Sequence, residues 1–187
     1  MKTKILKYSC FILFANVVLL YSCISKCDGY QVEQRTKLSI HNFNNSGSSL
    51  DDFYVDKDSI VPAKAYLIGA QFAIKIIEYH TTFVPCEIKY NSNITALTIY
   101  SLQNFDSAHL MNTSLNDYFK IRYSERPSPW SNAEPINIGK LNSLFNKFDL
   151  LLYAEPKLDS VFRFIVKVDL SDGSHMSDTT KIVKLTK

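Results

Sequence analysis

The clearest pattern in the chain is an alternation of apolar and polar positions near its C-terminus. Five apolar residues occupy every second position from 162 to 170: Phe162, Phe164, Val166, Val168 and Leu170. Successive side chains of a β-strand point to opposite faces, so this alternation predicts a half-buried strand. The Asp-Gly pair within residues 171–174 favours a tight hairpin turn. We therefore expect a hairpin whose second strand covers residues 175–186.

Other apolar or alternating runs predict further strands. They cover residues 37–43, 66–80, 83–90, 94–101, 118–123 and 148–154. The sequence Asn91-Ser92-Asn93 between two of these runs predicts a second hairpin. Four apolar residues at helical spacing predict a short helix over 140–148: Leu141, Leu144, Phe145 and Phe148. A helical turn is predicted over 50–54. About eight strands with one or two short helices predict an all-β fold, an immunoglobulin-like β-sandwich.

The N-terminal segment has the pattern of a targeting peptide. Lys2, Lys4 and Lys7 precede an uncharged run of 18 residues from Tyr8 to Ser25. A basic start followed by a short apolar run is typical of a secretory signal peptide. A membrane-spanning helix needs about 20 predominantly apolar residues. Because this run reaches its length only by including polar residues, a permanent membrane span is the poorer interpretation.

The end of this run, Leu20-Tyr21-Ser22-Cys23, resembles the lipobox of bacterial lipoproteins. The resemblance implies that residues 1–22 are removed as a signal peptide and that Cys23 is lipidated and becomes the new N-terminus. Tyr21 departs from the small residue that is usual at its position. The alternative is a secretory peptide or a plain anchor that happens to contain a cysteine.

Charge and length change their meaning once the signal peptide is removed. Loss of residues 1–22 takes three lysines and no acid, which leaves 18 basic residues against 18 acidic ones. The net charge of +3 therefore belongs to the targeting peptide, and no nucleic-acid partner is indicated. We expect residues 23–35 to form a lipidated tether and residues 36–187 to form a single β-sandwich domain.

Two of the four cysteines remain after processing and lipidation. Cys27 and Cys86 form an even pair in a compartment where disulfides persist. A bridge between them would hold the tether against the domain and stabilise the fold by about 4 kcal/mol in the chain-entropy model. Two unpaired thiols are the alternative.

Motifs for catalysis or metal binding do not occur in the sequence. The four histidines are scattered and lack the spacing of metal ligands: His41, His80, His109 and His175. Glu78 and His80 share one strand face, but the sequence supplies no third ligand. One acidic cluster lacks the glycine and the closing glutamate of a calcium loop: Asp51, Asp52, Asp56 and Asp58. No serine-nucleophile motif is present either, so we predict no catalytic residue, metal or cofactor.

The candidate ligand-binding surface contains the only tryptophan. Trp130 lies in a polar loop stiffened by two prolines, together with Arg126 and close to Tyr123. Loops gather at the ends of a sandwich and commonly carry binding residues. These three side chains are therefore candidates for contact with a sugar ring or with a partner's side chain. The alternative is that Trp130 caps the hydrophobic core.

A wider resemblance covers most of the mature chain. The stretches "SLNDYF" (114–119), "FDLLLYAEPKLDS" (148–160) and "FRFIVKVDLSDGS" (162–174), behind a lipobox and a second nearby cysteine, resemble small Bacteroidota lipoproteins of an uncharacterised domain family. These motifs are strand and turn patterns. The resemblance therefore implies a fold and an envelope location but no functional residues.

Together these features predict a lipid-anchored outer-membrane protein that acts as a non-catalytic binding or interaction module. Its expected partner is a glycan or an envelope protein. The alternative is an envelope hydrolase whose dispersed carboxylates come together only in the fold. Asp28 is the only acid among the first residues after Cys23, which favours the periplasmic face of the membrane over the cell surface.

Overall fold

The structure is a computed structural model that describes residues 29–45, 53–54, 60–80, 87–123, 133–143, 146–157 and 161–187. This part of the chain is mostly β and contains twelve strands and one α-helix. The strands are β1 (Tyr30–Asn44), β2 (Phe53–Tyr54), β3 (Ile60–Pro62), β4 (Tyr66–His80), β5 (Glu87–Tyr90), β6 (Ile94–Ser101), β7 (Phe119–Arg122), β8 (Lys147–Leu152), β9 (Val161–Phe162), β10 (Phe164–Leu170), β11 (His175–Thr179) and β12 (Val183–Thr186). Helix α1 covers Ile138–Ser143, and 3₁₀ turns lie at Ala63–Ala65 and Asn116–Tyr118. None of the described helices has the length and apolar character needed to cross a membrane.

The largest sheet contains six strands. Its order is β2-β1-β4-β8-β7, and β5 also pairs with β1. Leu150 of β8 fixes the register on both sides, since it lies opposite Ile68 of β4 and opposite Ile121 of β7. All three side chains are buried, because alternate residues of each strand face the core.

Two three-stranded sheets accompany it. One has the order β11-β10-β6, and the other has the order β3-β12-β9, in which β12 runs parallel to β3. Side chains from all three sheets meet in one hydrophobic cluster. The ring of Phe164 lies 5.4 Å from that of Tyr66 and 5.7 Å from those of Phe119 and Phe162. The burial of facing side chains makes the fold sandwich-like, and the prediction of an all-β sandwich is confirmed.

The chain divides into two compact units. The larger unit comprises Glu33–Ile77 and Tyr90–Lys187 and contains the hydrophobic cluster. The smaller unit comprises Met1–Val32 and Glu78–Lys89. Among the described residues of the smaller unit, the ring of Tyr30 lies 4.6 Å from that of His80 and 4.1 Å from Nζ of Lys89.

Two long strands have the bounds that the sequence predicts, namely β4 and β6. The burial of β4 differs from the prediction, because the strand is buried as far as Phe72 and largely exposed beyond it, not buried in its middle. The tether was predicted to extend to Arg35. Residues 30–35 instead belong to β1, which begins at Tyr30 and in which Glu33 and Arg35 are buried.

The predicted hairpin across residues 91–93 is wrong. The strand before it, β5, pairs with β1, whereas the strand after it, β6, pairs with β10 in another sheet. The backbone N–H of Asn91 donates to the carbonyl of Glu33, and the N–H of Ile94 donates to Oδ1 of Asn142. The turn residues therefore lead the chain from one sheet to the next.

The predicted helix and the predicted last strand also differ from the structure. Helix α1 ends before Phe148, which lies in β8 with its ring 5.9 Å from that of Phe72. Residues 53–54 were predicted in a helical turn but form β2. The hairpin turn at 171–174 joins β10 to β11 as predicted. Strand β11 then ends before Thr180, whose N–H donates to the carbonyl of Phe164. The following strand, β12, belongs to the third sheet.

Candidate functional site

Most of the predicted site residues lie outside the described part of the chain. They are Cys23, Cys27, Cys86, Arg126 and Trp130, as well as the acidic cluster at Asp51, Asp52, Asp56 and Asp58. Tyr123 is described, at the end of β7. Its hydroxyl donates to the carbonyl of Asn137 at 2.9 Å and accepts from the N–H of Asn137 at 3.3 Å. Burial raises the pKa of Tyr123. Its hydroxyl thus bonds to the backbone just before α1.

The predicted pair Glu78 and His80 is in contact. Nε2 of His80 lies 3.1 Å from Oε2 of Glu78, and about half of each side chain is exposed. Within the described residues, no three side chains of the metal-binding types come together. His41 and His175 are exposed.

The fourth histidine lies in a different environment, in the long connection between β6 and β7. Residues 102–118 form this connection, which we call the 102–118 loop. Loops of this length without strands are uncommon in compact domains and are often functional. The loop is closed at its base by the N–H of Asn112, which donates to the carbonyl of Ser101, and by the N–H of Leu115, which donates to the carbonyl of Ile99.

Asp106 organises the first half of this loop. Its Oδ1 accepts from the N–H groups of Ala108 and His109 at 2.8 and 2.7 Å and lies 3.1 Å from Nδ1 of the His109 ring. Its Oδ2 accepts from the hydroxyl of Tyr118 at 2.6 Å. The other ring nitrogen of His109, Nε2, lies 3.2 Å from Oδ2 of Asp117. His109 therefore bridges two carboxylates, one buried and one exposed.

Asp106 and Tyr118 shift each other's pKa in opposite directions. The hydroxyl of Tyr118, followed by donors from His109 and Ala108, holds the pKa of Asp106 well below its usual range. The same hydrogen bond from Asp106 raises the pKa of Tyr118 to about 12. Each ring nitrogen of His109 lies close to a carboxylate oxygen, Nδ1 to that of Asp106 and Nε2 to that of Asp117.

Aromatic packing fastens the network to the core. The ring of Tyr118 lies 4.3 Å from that of His109 and 5.4 Å from that of Phe105. Phe105 is fully buried, and its ring lies 5.3 Å from that of Phe162. The backbone of Phe105 is also held, because its carbonyl accepts from the N–H of Lys157. The base of the loop is thus rigidly placed on the sandwich.

The tip of the loop presents two apolar side chains to solvent. Leu110 is 52% exposed and Met111 is 55% exposed. Asn112, the next residue, has a φ of 64°, a left-handed conformation that asparagine tolerates better than most residues. The N–H of Met111 donates to Oδ1 of Asn104 at 2.9 Å. The exposed pair is therefore fixed in a defined turn.

The geometry around His109 differs from that of a catalytic triad. An aspartate and a histidine in contact resemble two members of a catalytic triad, in which the far ring nitrogen faces a nucleophile. Here that nitrogen faces Asp117, so the ring links two carboxylates instead of activating a hydroxyl or thiol. These hydrogen bonds fix the conformation of the 102–118 loop and thereby the position of its tip.

Sequence reasoning missed this site because it considered His109 only as a metal ligand and found no suitable spacing. The side chain of His109 is only 16% exposed. Two signals in the sequence pointed to the site. The spacing of Asp106 and His109 allows the aspartate to accept from the backbone of the residues that follow it, and the predicted strands leave an unusually long gap between 101 and 118.

Comparison with known proteins adds no relative. No protein-family model matches the sequence, and no curated protein matches it significantly.

Proposed function

We propose that this chain is a lipid-anchored protein of the outer membrane, with the lipid on Cys23, and that it acts as a non-catalytic binding or interaction module. The anchor rests on the basic start, the apolar run and the cysteine placement of the N-terminal segment. The periplasmic face is the proposed location, because Asp28 is the only acid among the first residues after Cys23. An envelope protein or a glycan is the proposed partner.

The tip of the 102–118 loop is the observation that carries the binding role. Large apolar side chains on a fixed turn are well suited to enter a pocket of a partner. Burying an aliphatic side chain of this size contributes about 1.5 to 3 kcal/mol of transfer free energy. Leu110 and Met111 are adjacent and more than half exposed. Both lie within a few residues of His109, whose ring is held by Asp106 and Asp117.

The rigidity of the 102–118 loop also supports the binding role. A loop that must be ordered on binding loses affinity through conformational entropy, whereas a preorganised loop does not. The hydrogen bonds of Asp106 and the stacking of Tyr118 against His109 fix the 102–118 loop before any partner arrives. A protein that needed only to connect β6 to β7 would not require this network.

A pair of matched double variants tests the proposal. Leu110→Ser with Met111→Ser removes the apolar tip. Ile60→Ser with Val161→Ser removes two exposed apolar side chains elsewhere on the molecule, which are 60% and 44% exposed. Each variant is expressed in the native cell, cross-linked and purified, and the captured partner is quantified. We expect capture to fall about tenfold or more for the tip variant, since central apolar anchors contribute about 2 kcal/mol each, and to be unchanged for the control.

The stability of both variants must be measured alongside. Exposed substitutions usually change the free energy of unfolding by less than about 0.5 kcal/mol, so both should unfold at the same urea concentration as the wild type. Equal capture by the tip variant and the control variant would contradict the binding role of the loop.

A further inference from the structure

The smaller compact unit carries two large apolar side chains that are exposed to solvent. Tyr79 of β4 is 53% exposed, and Ile88 of β5 is 54% exposed. Both residues belong to the unit that comprises Met1–Val32 and Glu78–Lys89. Exposed apolar side chains that share one surface often mark a contact site, so the question is which side of the strands these two occupy.

Both side chains point to the same side of the paired strands. The ring of Tyr30 in β1 lies 4.6 Å from that of His80 and 4.1 Å from Nζ of Lys89, and β1 pairs with both β4 and β5. These three side chains therefore share one side. Because successive side chains of a strand alternate, Tyr79 and Ile88 point to the opposite side.

The side that carries Tyr30 is polar. Oε2 of Glu78 lies 3.1 Å from Nε2 of His80, and Oε2 of Glu87 lies 3.4 Å from Nζ of Lys89. Charged groups of this kind stay in contact with water because their transfer to an apolar phase is costly. The described strands of this unit are therefore amphipathic, with a polar side and an apolar side.

The position of Cys23 in the chain determines which apolar phase is close. Tyr30 follows Cys23 by seven positions. An extended chain spans at most about 3.6 Å per residue, so a lipid on Cys23 keeps Tyr30 within about 25 Å of the membrane surface. Attachment through a short linker makes a second contact intramolecular, and a weak contact is then well occupied.

We infer that Tyr79 and Ile88 contact the lipid surface in which Cys23 is anchored. Tyrosine is enriched at membrane interfaces, where its ring is in an apolar environment and its hydroxyl stays hydrated. An aliphatic side chain beside it gains transfer free energy by leaving water. The inference rests on the lipid anchor of the proposed function and adds to it the side of the smaller unit that faces the membrane.

Photo-cross-linking of the lipidated full chain tests the contact. The photoreactive residue p-benzoylphenylalanine is introduced at one position at a time, and the protein is reconstituted into vesicles of phosphatidylethanolamine and phosphatidylglycerol. After irradiation, mass spectrometry of the peptides quantifies phospholipid adducts. Positions 79 and 88 test the apolar side. Positions 78 and 87 are the matched controls on the polar side, since the side chains of Glu78 and Glu87 are 57% and 62% exposed.

The expected result is a difference between the two sides. Adducts at positions 79 and 88 should be about tenfold or more abundant than at 78 and 87, because burial of one apolar side chain favours the inserted orientation by about that factor. Adducts at position 88 should fall about tenfold or more in Cys23→Ser, since the contact is then no longer intramolecular. Circular dichroism checks the fold of each variant. If the variant at position 88 does not fold, position 79 decides, because there one aromatic residue replaces another.

Three results would overturn the inference. Equal adducts on the two sides would show that the apolar side does not face the lipid. Cross-links from position 88 to a second copy of the chain, without lipid adducts, would assign this side to self-association. The N-terminal peptide in the same spectra separates the inference from the proposed function. An acylated Cys23 without lipid adducts at 79 or 88 would overturn the contact alone, whereas an unmodified Cys23 would overturn both.

Discussion

At the scale of single residues, Asp106 keeps its negative charge because donors converge on both of its oxygens. The backbone of residues 108 and 109 and the ring of His109 serve Oδ1, while the hydroxyl of Tyr118 serves Oδ2. A charged acceptor makes these hydrogen bonds stronger than neutral ones. The stability of the 102–118 loop should therefore depend on the ionisation of one carboxyl group.

The first prediction concerns pH. A carboxyl group with a depressed folded pKa contributes stability above its unfolded pKa, about 3.9, and this contribution is lost as the pH falls through the folded pKa. The hydroxyl of Tyr118 is the main cause of the depressed pKa of Asp106. We expect Tyr118→Phe to be less stable than the wild type at pH 7, and the difference to shrink as the pH falls from about 4 to 2. Urea unfolding at a series of pH values measures it.

The matched control for this experiment is Tyr153→Phe, which removes the hydroxyl of a tyrosine that is 64% exposed. It should leave stability unchanged at every pH. A difference between Tyr118→Phe and the wild type that stays constant from pH 7 to pH 2 would contradict the role given to Asp106.

Residue environments were harder to predict from the sequence than residue patterns. The alternation over 118–123 puts Arg122 on the face opposite Ile121, and a basic residue there is expected to meet solvent. Arg122 is 1% exposed, and its Nε and Nη2 donate to Oδ2 of Asp149 at 3.0 and 2.7 Å. The two residues are paired across β7 and β8, 27 positions apart in the chain. The burial of Arg122 depends on the pairing of β7 with β8, and the pattern within one strand does not show which strand it pairs with.

At the scale of elements, the outer edge of β6 is covered by asparagine side chains. Asn116 accepts from the N–H of Ile99 at 2.9 Å and donates to the carbonyl of Leu97 at 2.7 Å. Asn142 of α1 does the same for both backbone groups of Ile94, at 2.6 and 2.8 Å. An exposed strand edge is a template for pairing with another chain, so these amides protect β6 from association.

The second prediction tests this protection. Asn116→Ala removes two hydrogen bonds to backbone groups, each with a net contribution of about 0.5 to 1.5 kcal/mol, so the free energy of unfolding should fall by about 1 to 3 kcal/mol. The variant should also associate as its concentration rises, which sedimentation velocity measures. Asn93→Ala, at an exposed turn position, is the control. Equal stability and equal monomer content in the two variants would show that Asn116 does not protect the edge.

The third prediction concerns the packing of β1 on β4. A Cβ placed on Gly69 would lie 2.6 Å from the ring of Phe43. Gly69→Ala therefore forces the ring to move, and overpacking of this kind typically costs about 1 to 3 kcal/mol. Differential scanning calorimetry should show a lower unfolding midpoint for Gly69→Ala. The double variant with Phe43→Leu should recover part of the loss, and a double variant that is additive in the two losses would contradict the contact.

Elements were predicted best where the pattern is long and local. The bounds of β4 and β6 follow from uninterrupted apolar or alternating runs. Helix α1 was misplaced, because Phe148 continues the helical spacing of Leu141 but is buried in β8 against Phe72. The last strand was predicted as one element, although its two halves belong to different sheets. The type and extent of these elements depend on which strands pair in the fold, and local periodicity does not carry that information.

At the scale of the whole molecule, we propose a lipid anchor at Cys23 followed by a sandwich that carries the 102–118 loop. The sequence supports the anchor, since charge, apolar length and Cys23 agree. It also predicted the all-β fold. It did not predict the loop network, because His109 and Tyr118 meet only after the chain has returned from β6 to β7. Trp130 and Arg126 lie outside the described residues, so their role in binding stays a prediction.

Mass spectrometry of the N-terminal peptide tests the central claim most directly. The protein is purified from membranes of its native cell, as the wild type and as Cys23→Ser. We predict a wild-type chain that begins at Cys23 and carries acyl chains on that residue, and a Cys23→Ser chain without lipid that is released from the membrane fraction. An intact Met1 or an unmodified Cys23 in the wild-type protein would contradict the lipid anchor and, with it, the proposed place of this protein in the cell.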